Sequence, residues 1–91
     1  MQTFNLKKEW FNKIKKGLKV QEYREVKYYW VKRITSIHVN DSICFALGYP
    51  KKTENNKFLY AKVLSIKVIN GSNTDLGINK NVFDIEFELD E

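Results

Sequence analysis

A lone cysteine leaves this chain without an internal disulfide framework. Cys44 stands between Ile43 and Phe45 and reads as a buried, inert thiol. There is also a single histidine, His38, and one cysteine with one histidine does not make the ligand set of a structural zinc site, so no metal is expected. No serine or cysteine nucleophile lies in a recognisable motif, and His38, between Ile37 and Val39, reads as a satisfied or exposed strand-edge residue rather than a base. No apolar run approaches the roughly 20 residues that cross a bilayer. The N-terminus lacks the apolar core of a signal peptide, and the expectation is a soluble, cytoplasmic protein with no membrane partner. Phosphate-loop and dinucleotide fingerprints are missing too, so no cofactor is implied. No internal repeat or linker interrupts the chain.

What is present is apolar and aromatic. With 43% hydrophobic and 14% aromatic residues, the 91-residue chain has the means to fold and the length for one core, so residues 1–91 are read as a single domain. The net charge of +5 is polarised along the chain. Residues 1–33 carry ten Lys/Arg against three Asp/Glu, and residues 70–91 carry one against six. In the basic third, lysines and arginines interleave with Trp10, Phe11, Tyr23, Tyr28, Tyr29 and Trp30. That mixture suits a surface that attracts polyanions and stacks on bases, and it equally suits a solvated helix face beside core aromatics.

The periodicities divide the chain further. Gln2–Leu6 reads as a short strand. Over Lys7–Lys16, Trp10, Phe11 and Ile14 fall at helical spacing and read as core, with Asn5 as a possible N-cap and Gly17 as the stop. Lys13, Lys15 and Lys16 form a solvated face or a backbone-contacting patch. Lys19–Glu25 reads as a strand with Val20, Glu22 and Arg24 on one face and Gln21 and Tyr23 on the other. Val26–Ile34 has Val26, Trp30 and Ile34 at offsets of four, which suits a second short helix. Ser42–Tyr49, after an Asn40-Asp41 turn, suits a buried strand; Lys51–Lys57 is a polar hairpin loop, Phe58–Ile69 a long strand and Asn70–Gly77 a turn-rich loop. Val82–Leu89 alternates Phe83, Ile85, Phe87 and Leu89 against Asp84, Glu86 and Glu88, which predicts one wet face. The sum is α+β, with a mainly antiparallel sheet that a long bent strand helps curl into a small barrel.

The order of these segments, with G-L-K-V-Q-E-Y-R after the first helix and V-N-D-S-I-C-F further on, resembles the ASCH domain, a family of the PUA-like β-barrel superfamily, over essentially the whole chain. The family pattern Gly-x-Lys-x-x-Glu-x-Arg is carried by Gly17, Lys19, Glu22 and Arg24, and its Gly-Asp-x-Ile-x-Phe turn and strand by Asn40, Asp41, Ile43 and Phe45, with Asn in the glycine's place. The resemblance implies a PUA-like barrel with two short helices near the N-terminus, a cleft between sheet and helices, and a role in binding RNA or a nucleotide-like ligand. One branch of the family resembles a small amidohydrolase of acylated cytidine nucleosides with a catalytic lysine, threonine and glutamate. Lys19 matches the lysine, Glu22 stands at the threonine's position, and the glutamate's segment is short or absent here.

Weighed residue by residue, Glu22 and Arg24 lie about 7 Å apart along one strand face, near enough to pair with each other or to hold a third group. In a binding site, Lys19 is a freer charge for an anionic ligand, Arg24 binds phosphate or a base edge, and Glu22 accepts from a base or orients Arg24. Tyr23 or Trp30 supplies a stacking face, with Arg33 nearby. The other reading of Glu22 and Arg24 is a buried ion pair that closes the barrel against the second helix. Three functional classes stay open: an RNA- or nucleotide-binding module, an amidohydrolase with Lys19 and Glu22 as its catalytic groups, and a protein-interaction adaptor using the same cleft. The acidic C-terminal strand is expected to lie away from any nucleic acid.

Overall fold

A computed structural model describes residues 1–90, so Glu91 of the expected domain lies outside the described residues. The first strand, β1 (Gln2–Leu6), buries Phe4 and Leu6, as a period of two requires. It feeds helix α1 (Lys8–Lys15), which buries Phe11 and Ile14 and ends in lysines that suit the negative end of its dipole. Asn5 does not cap this helix: it belongs to β1, and its side-chain amide donates to the carbonyl of Gly48 at 2.7 Å, while Lys7 takes the cap position without a side-chain bond. Gly17 does end the helix. At φ +75° it lets Leu18 N–H reach the carbonyl of Lys13 and its own N–H reach that of Ile14, so two terminal carbonyls are satisfied together.

Strand β2 (Gln21–Glu25) begins two residues later than the pattern suggested, and helix α2 (Tyr28–Ile34) follows, anchored by the buried Ile34. Asn40 then turns the chain at φ +76°, a conformation Asn tolerates better than most residues, into the buried strand β3 (Ser42–Leu47). A short 3-10 turn at Asn55–Lys57 leads to the long strand β4 (Phe58–Asn70), and a second at Gly71–Asn73 opens the loop before β5 (Asn81–Leu89).

The five strands form one sheet in the order β1-β3-β4-β5-β2. Only β1 and β3 run parallel; the other pairings are antiparallel. The first part of β4 pairs with β3, and from Ala61 to Asn70 it pairs with β5, with a register shift between Val63 and Ser65. Such a bulge bends a strand and raises its twist, and here it lets one strand serve both halves of the sheet. Phe4, Phe11, Ile14, Phe45, Val63, Ile85 and Phe87 fill the concave side, with the rings of Phe45 and Phe87 4.7 Å apart. Full burial of each such side chain contributes about 1.5–3 kcal/mol, and the cluster they belong to, which includes Ile34 of α2, joins both helices to β1, β3, β4 and β5. The sheet curls into a half-barrel whose end strands, β1 and β2, have no backbone ladder between them. Closure by pairing, expected from the sequence, is replaced by an open seam.

One further expectation needs correction. Asp84 is not on a wet face: it is 2% exposed and accepts two hydrogen bonds from the Gln21 amide, at 3.0 and 3.1 Å, while Glu86 and Glu88 do face solvent. The turn-rich loop after β4 is fastened down, since Gly71 is buried and bonded to the carbonyl of Lys80. A Cβ at Gly71 would lie 2.7 Å from Val82 Cγ1 and 2.9 Å from the Ile78 carbonyl oxygen. Gly71→Ala is therefore expected to lower stability by about 1–3 kcal/mol through overpacking, measured as a shift of the urea midpoint at constant m-value.

Candidate functional site

The seam between β1 and β2 is a cleft of about 410 Å³, within the range of small-molecule sites. Glu22 and Arg24 alternate on the same face of β2 and pair across the ladder with Ile85 and Phe83, so they stand on the concave, apolar side of the sheet. Glu22 is 5% exposed. Burying an unpaired carboxylate there would cost several kcal/mol, and the structure compensates it fully. Arg24 donates to Glu22 Oε2 through Nε at 3.0 Å and Nη2 at 2.6 Å, and Nη2 also reaches the Asn5 carbonyl at 3.4 Å. The guanidinium thus spans the seam, from β2 to β1. Its carbon lies 4.6 Å from the Trp30 ring centroid and 5.3 Å from that of Phe4, so it also meets α2.

Lys19 completes the other end. Its ammonium donates to Asp75 Oδ2, sits 3.8 Å from Glu22 Oε1, and lies 4.9 Å from the Tyr23 ring and 5.5 Å from the Trp10 ring. The result is a continuous chain, Asp75–Lys19–Glu22–Arg24–Asn5, from the loop before β5 through β2 to β1. Lys19 is not the free cation that the sequence suggested: its side chain is 9% exposed, against 36% for Asp75. Asp75, its partner, comes from the loop before β5 that is fastened at Gly71.

Of the residues singled out from the sequence, Lys19, Glu22, Tyr23, Arg24 and Trp30 border the cleft. Arg33 does not. It lines a neighbouring groove, with its guanidinium 4.5 Å from the Tyr29 ring and Nη1 donating to Gln2 Oε1 at 3.4 Å. Glu22 and Arg24 form a largely buried ion pair against α2, and the same pair lines the cleft. Trp10, read as core, is half-buried and forms a wall of the cleft. Asp75 carried no signal within its own segment, because the fold brings it to Lys19 across 56 residues of chain. His38 is exposed beside Asp41, and Cys44 is buried on β3, where burial pushes its thiol up. Neither borders the cleft.

Chemically, the cleft offers aromatic walls and a self-neutralising polar floor. Two cations and two carboxylates form its central chain, and no buried side-chain nitrogen or oxygen among the described residues lacks a partner. Such a floor gives a free anion little net attraction, and it favours a planar polar group that stacks and exchanges hydrogen bonds. Among the described residues no acidic, histidine or cysteine cluster is arranged to hold a metal, and no helix is long and apolar enough to cross a membrane. A scan against protein-family models and a search of curated proteins each gave no match.

Two outcomes test this geometry. Glu22→Ala leaves Arg24 and Lys19 without their shared carboxylate and is expected to cost about 3–5 kcal/mol. Asp75→Asn leaves Lys19 its contact with Glu22 and should cost less than that, and equal losses in denaturant melts would show that the chain is not centred on Glu22. The Tyr23 phenol is pushed up from its usual 10.0 by burial first, then by the Asp84 and Asp75 carboxylates. Its folded-state value exceeds the unfolded one, so its contribution to stability is full below pH 10.0 and is lost as pH rises through the folded-state value. Tyr23→Phe is expected to flatten that alkaline fall, read as thermal midpoint against pH.

Proposed function

We propose that this chain is an ASCH-type, PUA-like domain that binds RNA or a nucleotide-like ligand by taking a nucleobase or nucleoside into the β1–β2 cleft. The carrying observation is the convergence of Lys19, Glu22 and Arg24, from the segment that resembles the family motif, on a single cleft walled by Trp10, Trp30 and Tyr23. Aromatic walls suit an unpaired base, whose faces stack and whose edges need both donors and acceptors. The Glu22 carboxylate accepts, Arg24 and Lys19 donate, and the near-balance of charge disfavours a bare phosphate in the same place.

The amidohydrolase reading also has a specific observation in its favour. The catalytic set of that branch includes a glutamate whose segment is short or absent here, and Asp75 brings a carboxylate to Lys19 in the cleft. In that reading Asp75 and Glu22 hold the Lys19 ammonium by its protons, and one of the two carboxylates takes the proton of the water that attacks the acyl-amide carbonyl. That proton passes to the cytosine amino nitrogen as the acyl C–N bond breaks, so the free amine leaves and the acid is released.

Both tryptophans of the chain border the cleft, so intrinsic fluorescence reports what enters it. Titration with the four common nucleosides and with N4-acylated cytidine is expected to give saturable quenching that changes little between low and high salt, weakened about tenfold in Lys19→Ala. Absence of quenching by all five would sink the reading. Release of acid from the acylated cytidine, lost in both Lys19→Ala and Asp75→Asn, would assign the enzyme; binding without release assigns the module.

A further inference from the structure

Beside the cleft runs a second hollow of about 590 Å³, bordered by Gln2, Tyr29, Arg33 and Tyr49. The two cavities share a wall made of Asn5, Arg24 and Trp30. Their electrostatics differ. The cleft contains its own counter-charges, whereas no aspartate or glutamate borders the groove. Among the described residues Arg33 has no carboxylate partner, and its one hydrogen bond, to Gln2, uses one of five donors.

The aromatics of the groove are unusual for their exposure. Tyr49 is 91% exposed and Tyr29 52%. Tyr49 does not hang on a loose segment: the turn before it is tied to β1 by Gly48 N–H to the Leu6 carbonyl at 2.9 Å and by the Asn5 amide to the Gly48 carbonyl at 2.7 Å. An ordered turn thus presents a tyrosine to water, beside a guanidinium that already stacks on another tyrosine. Exposed rings next to an unneutralised arginine form a platform for unpaired bases and the phosphates between them.

We propose that the ligand is a single-stranded oligonucleotide, with one base in the cleft and its neighbour lying in the groove, the intervening phosphate on Arg33 and the neighbouring base on Tyr49 or Tyr29. This rests on the reading of the cleft as a nucleoside site. The shared wall is what joins the two: Arg24 and Trp30 face both hollows, so a chain leaving one enters the other. A free nucleoside would use only the neutral half of this surface, and a duplex would present no open base faces to the tyrosines.

The test compares affinities of a nucleoside and of six-nucleotide single strands containing it, RNA and DNA, for the wild-type chain and for Arg33→Ala, Tyr49→Ala and Tyr49→Phe. In the wild type the strand is expected to bind about tenfold or more tightly than the nucleoside at low salt, with an advantage that shrinks as salt rises. The strand-to-nucleoside ratio should fall toward one in Arg33→Ala, with the salt slope reduced by about one, and fall in Tyr49→Ala but not in Tyr49→Phe. If nucleosides quench the tryptophans but strands gain nothing, or if the ratio survives both alanine variants, the groove proposal is overturned while the cleft reading stands. If neither nucleosides nor strands bind, both are overturned. Both substituted side chains lie outside the buried core, and circular dichroism of each variant confirms that the fold persists.

Discussion

The Glu22–Arg24 pair carries out what the backbone of this sheet leaves undone. A five-stranded sheet in so short a chain curls until its end strands approach, yet β1 and β2 share no ladder. The guanidinium bridges them, because it is bonded at once to a β2 carboxylate and a β1 carbonyl while stacking on α2. A closed ladder would have filled the seam with hydrogen-bonded backbone. A side-chain bridge holds the edges at a distance and leaves a cavity lined by the bridging groups themselves. Structure and candidate site are therefore made of the same atoms, which is why the pair resists assignment to one role.

Charge is distributed with the same economy. Buried ions are tolerated in the cleft because each has a counter-ion: Lys19 meets Asp75 and Glu22, and Glu22 meets Arg24. Unpaired basic character lies outside that chain of ions, on residues such as Arg33 that face a groove without carboxylates. A net charge of +5 thus describes the surface around the site rather than its floor. Under the proposed function, long-range attraction of a polyanion and short-range recognition of a neutral ring would fall to different residues, separated in space.

How much of this was legible depends on whether the signal is local. β1, both helices, the Gly17 stop and the long bent β4 follow from periodicities within a dozen residues, and the structure places them within a residue or two. The Asn5 cap fails because β1 needs that residue for its bond to Gly48, a partner 43 positions away. Asp84 alternates like a surface residue but is enclosed, since Gln21 of β2 supplies its hydrogen bonds across the ladder. Trp10 has the spacing of a core residue and sits at the core's margin, where the seam begins.

By itself the sequence determined which side chains could be polar and still point inward: Glu22 and Arg24 share a strand face because residues two apart in an extended chain must. It determined too that Lys19 would stand close to them, just past a helix that only a residue free to take positive φ could end. Tertiary structure alone decided that the sheet stays open at β1 and β2, that Asp75 arrives from the loop before β5 to neutralise Lys19, and that Arg33 faces a separate groove. Those outcomes depend on contacts between segments dozens of residues apart, whose pairing is fixed by burial of the common core and by no pattern within either segment.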